Sequence, residues 1–424
     1  MQTTVTAALS KTPSVNNLKI AEASSKSRFI GSTLIIAGTT VGAGMLALPI
    51  TSHKAGFLNS ALLLIAMWAF TCFAALVSIE INLHYGAGYS ISYLAEKNFG
   101  KLGKWIASLS IGFLFYALLS AYTAGGATFL KAGLESIFTI SLPFPIVALA
   151  FATTLAFFVY SSTRHVDFAN RFLLFFKISI FLLLAYLLTP FVRAEYLQHT
   201  NNTSAAIWLA IPIFFTSFGF HGSIPTLINY VGPNPTYLRR IIIIGSLPPL
   251  IIYLLWQTVT LGVINPAEMT LANGKEQNVA FFIHHLNQVT HSNEISYFSN
   301  IFAFFGVSTS FLGVAIGLFD YLTETLKKTD KRNSKLQTGL LTFLPPLFFA
   351  IFYPDGFIIA LGYAAIALSI LAILLPVMVA YKLRLEITPL NYTVAGGNVA
   401  LALLFCGGIS IIVIELIKGI VNPT

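Results

Sequence analysis

The chain has 424 residues, 56% of them hydrophobic and only 9% charged, with a formal net charge of +9. So few charges cannot cover the surface of a soluble domain of this length, and the composition is that of a polytopic membrane protein. Cys72 and Cys406 both lie inside apolar runs, which excludes a disulfide framework and a cysteine-based metal site. Residues 1–26 are polar, with scattered Lys and no signal-peptide core, and read as a cytoplasmic tail.

About 20 apolar residues are needed to cross a hydrocarbon core of about 30 Å. Runs that meet this need lie near 29–51, 57–83, 105–130, 143–160, 166–190, 206–230, 241–264, 296–322, 336–353, 356–380 and 394–420. They predict an all-α integral membrane protein of eleven spans. With the N-terminus inside, 18 of the 24 Lys and Arg residues fall on that side, 5 fall on the opposite side, and Lys177 lies within a span. The bias places the N-terminus in the cytoplasm and the C-terminus outside, and it accounts for the basic charge without any nucleic-acid partner. Residues 84–104 alternate aromatic or aliphatic with polar groups and suit a short amphipathic helix on the inner interface. The outer loop 265–295 carries His284, His285 and His291, which are not at a zinc spacing. No metal or cofactor is expected.

Two spans are broken near their middles. The first reads Gly38-Thr39-Thr40-Val41-Gly42-Ala43-Gly44, and the sixth reads Ser217-Phe218-Gly219-Phe220-His221-Gly222-Ser223. Glycine lowers helix propensity by roughly 1 kcal/mol relative to alanine, and the β-branched residues between the glycines are also poor helix formers. Half-helices are expected to end near Ala37 and restart near Ala43 in span 1. In span 6 they end at Ser217–Gly219 and restart near Gly222, with Pro225 in the first turn. Unpaired backbone groups are tolerated in a bilayer only where they line a cavity or hold a ligand. The N-terminal end of a half-helix suits a carboxylate and carbonyl ends suit an ammonium, so the pair of breaks selects an α-amino acid. The small residues would also serve helix packing, but breaks five spans apart match an inverted repeat of residues 27–190 (spans 1–5) and 206–380 (spans 6–10), followed by an additional span at 394–420. Gly42-Ala43-Gly44-Met45-Leu46-Ala47 matches a dinucleotide-binding pattern, but no βαβ unit fits a lipid-spanning run.

Ile36-Ala37-Gly38-Thr39-Thr40-Val41-Gly42-Ala43-Gly44-Met45-Leu46-Ala47-Leu48-Pro49 resembles the first span of bacterial tyrosine- and tryptophan-specific permeases. Thr216 to Pro225 resembles their sixth span, and Ser310-Phe311-Leu312-Gly313 with Gly317-Leu318-Phe319-Asp320 resembles their eighth. The resemblance covers about residues 27–420. It implies the leucine-transporter-like fold of the amino acid–polyamine–organocation superfamily and proton-driven uptake of an aromatic amino acid, tyrosine favoured, across a bacterial inner membrane. Phe218, Phe220, Tyr116 and Tyr122 then stand as residues for a wall against the ring, or as ordinary packing.

Lys177 is the one Lys or Arg near the middle of a span. A buried ammonium is costly, and is paired or deprotonated. In sodium-coupled relatives of the implied fold a cation site lies between spans 1 and 8. Lys177 is expected to occupy it, near carbonyls around Gly38 and the hydroxyls of Ser308, Thr309 or Ser310, with its proton replacing sodium; a permanently paired lysine is the structural alternative. His221 either titrates, binds a substrate hydroxyl or closes the unwound backbone. Glu80 and Asp320 are expected to pair with inner-face cations such as Arg28 or Arg171, and Glu415 with Lys418. An enzyme would need a convergent acid, base, nucleophile or metal set, and the spans offer none. The competing readings keep the fold: a tryptophan-preferring permease, an amino acid exchanger or a sodium symporter.

Overall fold

The computed structural model describes residues 15–86, 89–161, 163–198, 204–266, 279–326, 331–386 and 392–421. Residues 1–14 of the expected tail, and 267–278 of the outer loop, lie outside the described residues. Among the described residues every regular element is a helix. Span 1 comprises α1 (Val15–Thr40) and α2 (Gly44–Ser52), bent by 53°. Spans 2 to 5 are α3 (Phe57–Tyr85), α4 (Ile91–Phe138), α5 (Phe144–Ser161) and α6 (Thr163–Leu188). After the short α7 (Ala194–Gln198), span 6 consists of α8 (Ser204–Ser217), a single tight turn (His221–Ser223) and α9 (Ile224–Val231). Span 7 is α10 (Pro235–Leu261); α11 (Val279–Thr290) precedes span 8, α12 (Asn293–Leu326). Span 9 is α13 (Lys331–Phe352), span 10 joins α14 (Phe357–Ser369) to α15 (Leu375–Glu386), and span 11 is α16 (Gly397–Val421). Ten of these are long and apolar enough to cross a membrane alone, and the bent pair of span 1 makes eleven.

The spans divide into an enclosed set and an outer set. In an apolar 18-residue stretch of each, span 10 is 72% buried and spans 6 and 8 are 56% buried, whereas spans 5, 9 and 11 are 28% buried. Outer-set side chains such as Phe175, Tyr186 and Leu403 are exposed, which suits a surface solvated by lipid.

Local chemistry moves several sequence-based boundaries. The helix of span 1 runs to Thr40, not Ala37: the Val41 N–H still donates to the Ala37 carbonyl, and the Thr39 and Thr40 hydroxyls donate back to the Ile35 and Ile36 carbonyls. The interfacial segment folds as a helical arm, Ile91 to Phe99, capped by Ser90 and set off from span 3 by Gly100 at φ +64°. Its Asn98 accepts from the Tyr85 hydroxyl and, through its carbonyl, from Lys382, so the arm is tied to spans 2 and 10. Glu80 pairs with Arg384, not with Arg28 or Arg171. Arg384 Nε and Nη2 each donate to the carboxylate at 2.7 Å, and the Val394 N–H donates to it as well. The pair joins span 2 to span 10 and to the start of span 11, and neither side chain is more than 10% exposed. Asp320 is exposed and makes no ion pair among the described residues. Glu415 lies 3.8 Å from Lys418. His285 stacks on Phe281 at 6.0 Å, and no metal-binding group of His, Cys, Asp or Glu occurs among the described residues.

Candidate substrate site

Every backbone polar group freed at mid-span needs a partner, and the bend of span 1 finds most of its partners in other spans. The Tyr253 hydroxyl of α10 reaches the Thr40 carbonyl at 2.6 Å and the Ser217 carbonyl at 2.9 Å, so one side chain bridges both breaks. Lys177 Nζ of α6 donates to the Val41 carbonyl at 2.7 Å and to Thr309 Oγ1 of α12 at 3.1 Å. The Ala43 N–H donates to Ser310 Oγ at 2.8 Å, and Ser310 donates to the Gly306 carbonyl. Met45 and Leu46 N–H turn back to the carbonyls of Gly42 and Ala43. The cluster of free N–H groups expected at the start of α2 is therefore reduced: Gly44 N–H is the one in this first turn with no acceptor among the described residues.

Span 6 is left more open. Phe218, Gly219 and Ser223 N–H groups bond locally to the carbonyls of Phe215, Thr216 and Phe220. The N–H groups of His221 and Gly222, and the Gly219 carbonyl, have no protein partner among the described residues. Gly219 and Gly222 are both exposed although Phe218, Phe220 and His221 around them are buried. Pro225 occupies the first turn of α9, where its missing N–H costs nothing.

The two breaks face one cavity of about 870 Å³. Gly38, Thr39, Thr40, Val41, Gly42, Ala43 and Gly44 line it from span 1, and Ser217, Gly219, Phe220, His221 and Gly222 from span 6, with Tyr122, Lys177, Thr309 and Ser310. Among the described residues Lys177 is the one charged side chain on this lining, and no carboxylate shares it. Three expected residues lie elsewhere. Phe218 is fully buried and packs on the Tyr253 ring at 5.3 Å, so it belongs to the core. The Tyr116 hydroxyl donates to the Leu341 carbonyl of α13, which turns its ring to span 9. Ser308 is buried with no partner for its hydroxyl, on a different face of α12 from Thr309 and Ser310.

The cavity reaches the surface at one end. Leu34, Tyr89 and Ser90 are exposed lining residues there, whereas Met45 to Ile50 on the far side of the break are uniformly buried. Span 10 contributes Leu368, Leu371, Ala372 and Pro376. Residues Ile370–Leu374 adopt a π turn. Pro376 has no N–H to return to the Ala372 carbonyl, which is a physical reason for the local widening.

Tyr253 escaped the sequence reading because nothing marks one tyrosine among 17. The same holds for Asn82 and Asn170, whose Oδ1 atoms are buried without partners on the cavity lining. Asn170, Leu174 and Lys177 fall at helical spacing on one face of α6, a pattern that was available once Lys177 was singled out.

With this geometry in view, comparison with known proteins is specific. The model of the tryptophan/tyrosine permease family matches residues 25–415. A tyrosine-specific transport system 1 of Haemophilus influenzae is 38% identical over 383 residues, 90% of this chain and 95% of that protein. A tryptophan-specific transport protein of Pseudomonas aeruginosa is 32% identical, covering 92% of this chain and 95% of its own length. Among solved structures, a nucleobase-cation-symport-1 family transporter in a closed conformation with bromovinylhydantoin bound superposes with a TM-score of 0.58 at 13% identity. That superposition covers 91% of this chain and 90% of the other, and the shared architecture is the leucine-transporter-like fold. A mid-membrane cavity between two interrupted spans, in a chain that matches these permeases over nearly its whole length, leaves one conclusion: the protein belongs to the tryptophan/tyrosine permease family.

Proposed function

We propose that the protein imports an aromatic amino acid, tyrosine in preference to tryptophan, together with protons across a bacterial inner membrane by alternating access. The N-terminus is cytoplasmic and the C-terminus periplasmic, and residues 27–190 and 206–380 form the two inverted repeats. The carrying observation is the facing of both breaks into one cavity that holds a single cation, Lys177, on the Val41 carbonyl. The substrate carboxylate takes the N–H groups of Gly44, His221 and Gly222, and its ammonium takes the Gly219 carbonyl. Tyr122 and Phe220 stand beside the ring. Lys177 and Thr309 occupy the place of a coupling ion, so loss and gain of the Lys177 proton replaces ion release and binding. The 38% identity to a tyrosine-specific system, against 32% to a tryptophan-specific one, supports tyrosine as the preferred substrate.

The test is uptake of radiolabelled tyrosine by proteoliposomes in sodium-free buffer. Accumulation above the external concentration that collapses with the pH gradient is expected. Accumulation that requires sodium, or exchange alone, overturns the coupling; no competition by any aromatic amino acid overturns the substrate.

A further inference from the structure

The two ring nitrogens of His221 are in different situations. Nε2 lies 3.1 Å from the Thr71 carbonyl of α3. A carbonyl oxygen only accepts, so Nε2 carries the ring proton. Phe220 stacks on the ring at 5.1 Å and 17° and fixes its plane. Among the described residues the cavity lining contains no carboxylate to support an imidazolium, and its one charge is the Lys177 cation. The ring is therefore neutral, and Nδ1 is a lone-pair acceptor.

That acceptor is buried and has no partner among the described residues, although His221 is a lining residue and is 8% exposed overall. Buried acceptors without donors are uncommon in native proteins and call for an explanation. In this conformation Nδ1 is closed to water, but it rides on a one-turn segment between the exposed residues Gly219 and Gly222. A Cβ at Gly222 would meet nothing within 4 Å, so this turn borders open cavity space on that side. The other unpartnered side-chain acceptors buried on the lining sit away from the breaks. Asn82 lies about 16 Å further along α3 than Thr71, and Asn170 about 10 Å along α6 from Lys177, at 1.5 Å per residue. Among the described residues His221 Nδ1 is the free buried side-chain acceptor at the depth of the breaks, beside the Gly219 carbonyl assigned above to the substrate ammonium.

We infer that His221 Nδ1 selects the substrate by accepting a hydrogen bond from its ring, the phenol O–H of tyrosine or the indole N–H of tryptophan, and so disfavours rings without a donor. The inference rests on the aromatic amino acid reading above. It explains how one pocket serves two rings of different size: each is an apolar frame with a single donor at its edge. Phenylalanine and O-methyltyrosine share the phenyl frame and would leave Nδ1 unpaired.

Competition against radiolabelled tyrosine uptake, with the full chain in proteoliposomes, decides the matter. Tyrosine and tryptophan are expected to compete, and phenylalanine, O-methyltyrosine and 1-methyltryptophan to be weaker by roughly tenfold or more, as an unpaired buried acceptor requires. Phenylalanine is smaller than tyrosine, so its weakness cannot come from a clash. Phenylalanine and O-methyltyrosine competing within about threefold of tyrosine overturns the inference. In His221→Leu the tyrosine KM rises to meet the phenylalanine inhibition constant, which stays unchanged; an equal loss for every ligand overturns the selective role. Should His221→Leu fail to fold, the wild-type competition decides alone. A wild-type protein that takes up neither tyrosine nor tryptophan refutes the aromatic reading itself, an outcome distinct from uptake that ignores the ring donor.

Discussion

Lys177 is 2% exposed, donates to one carbonyl and one hydroxyl, and has no carboxylate beside it on the cavity lining among the described residues. A lysine held only by neutral acceptors differs from one locked in an ion pair, because losing its proton breaks no charge–charge bond. The expected outcome for Lys177→Met is at least tenfold loss of pH-gradient-driven accumulation, with exchange of internal for external tyrosine retained; gradient-driven uptake beside counterflow in the same vesicles measures the split. Retention of both in full would mean that the proton travels elsewhere. The lysine was readable in the sequence as a lone mid-span cation, but its acceptors were not. Val41 is 136 residues away and Thr309 is 132 residues away, and the chain alone does not say which carbonyl of a bend faces which span.

Among the elements, the spans themselves were legible because apolar length is a one-dimensional property, and each run found in the sequence has its helix. Break positions were legible to within a few residues. In span 1 the helix continues past Gly38 to Thr40, with both threonine hydroxyls bonded back to the preceding turn. Glu80–Arg384 was invisible because the partners are 304 residues apart and meet only when span 2 packs on span 10. Glycines divide by element in a similarly unreadable way. At Gly126 of α4 a Cβ would collide with the Phe151 ring of α5, whereas at Gly222 it would meet nothing. Gly126→Ala should therefore lower the thermal unfolding midpoint in detergent by several degrees, since overpacking typically costs about 1–3 kcal/mol. Gly222→Ala should leave the midpoint unchanged. A reversed order in a thermal-shift measurement would contradict the packing seen between spans 3 and 4.

For the molecule as a whole, the breaks sit at the bottom of a cavity that opens toward Leu34, Tyr89 and Ser90 and is closed by the buried stretch Met45–Ile50. The closed side is fastened by Gln257, whose amide donates to Ser52 Oγ at 2.7 Å, and by the packing of Trp256 on Phe302 and Phe181. In a background lacking Cys72 and Cys406, Ser90→Cys should react with a membrane-impermeant thiol reagent from the side of the N-terminus. Ser52→Cys should react slowly from either side. Labelling of Ser90→Cys only from the opposite face would reverse the assigned orientation. Tyr253 gives this arrangement a mechanical consequence. It has one hydroxyl proton and faces two carbonyls, on Thr40 and Ser217, that terminate half-helices arriving from opposite faces of the molecule. A single proton cannot bond fully to both, so any motion that parts those helix ends must award it to one of them. Were the two halves to part, the geometry of this one hydroxyl would record which of them had moved.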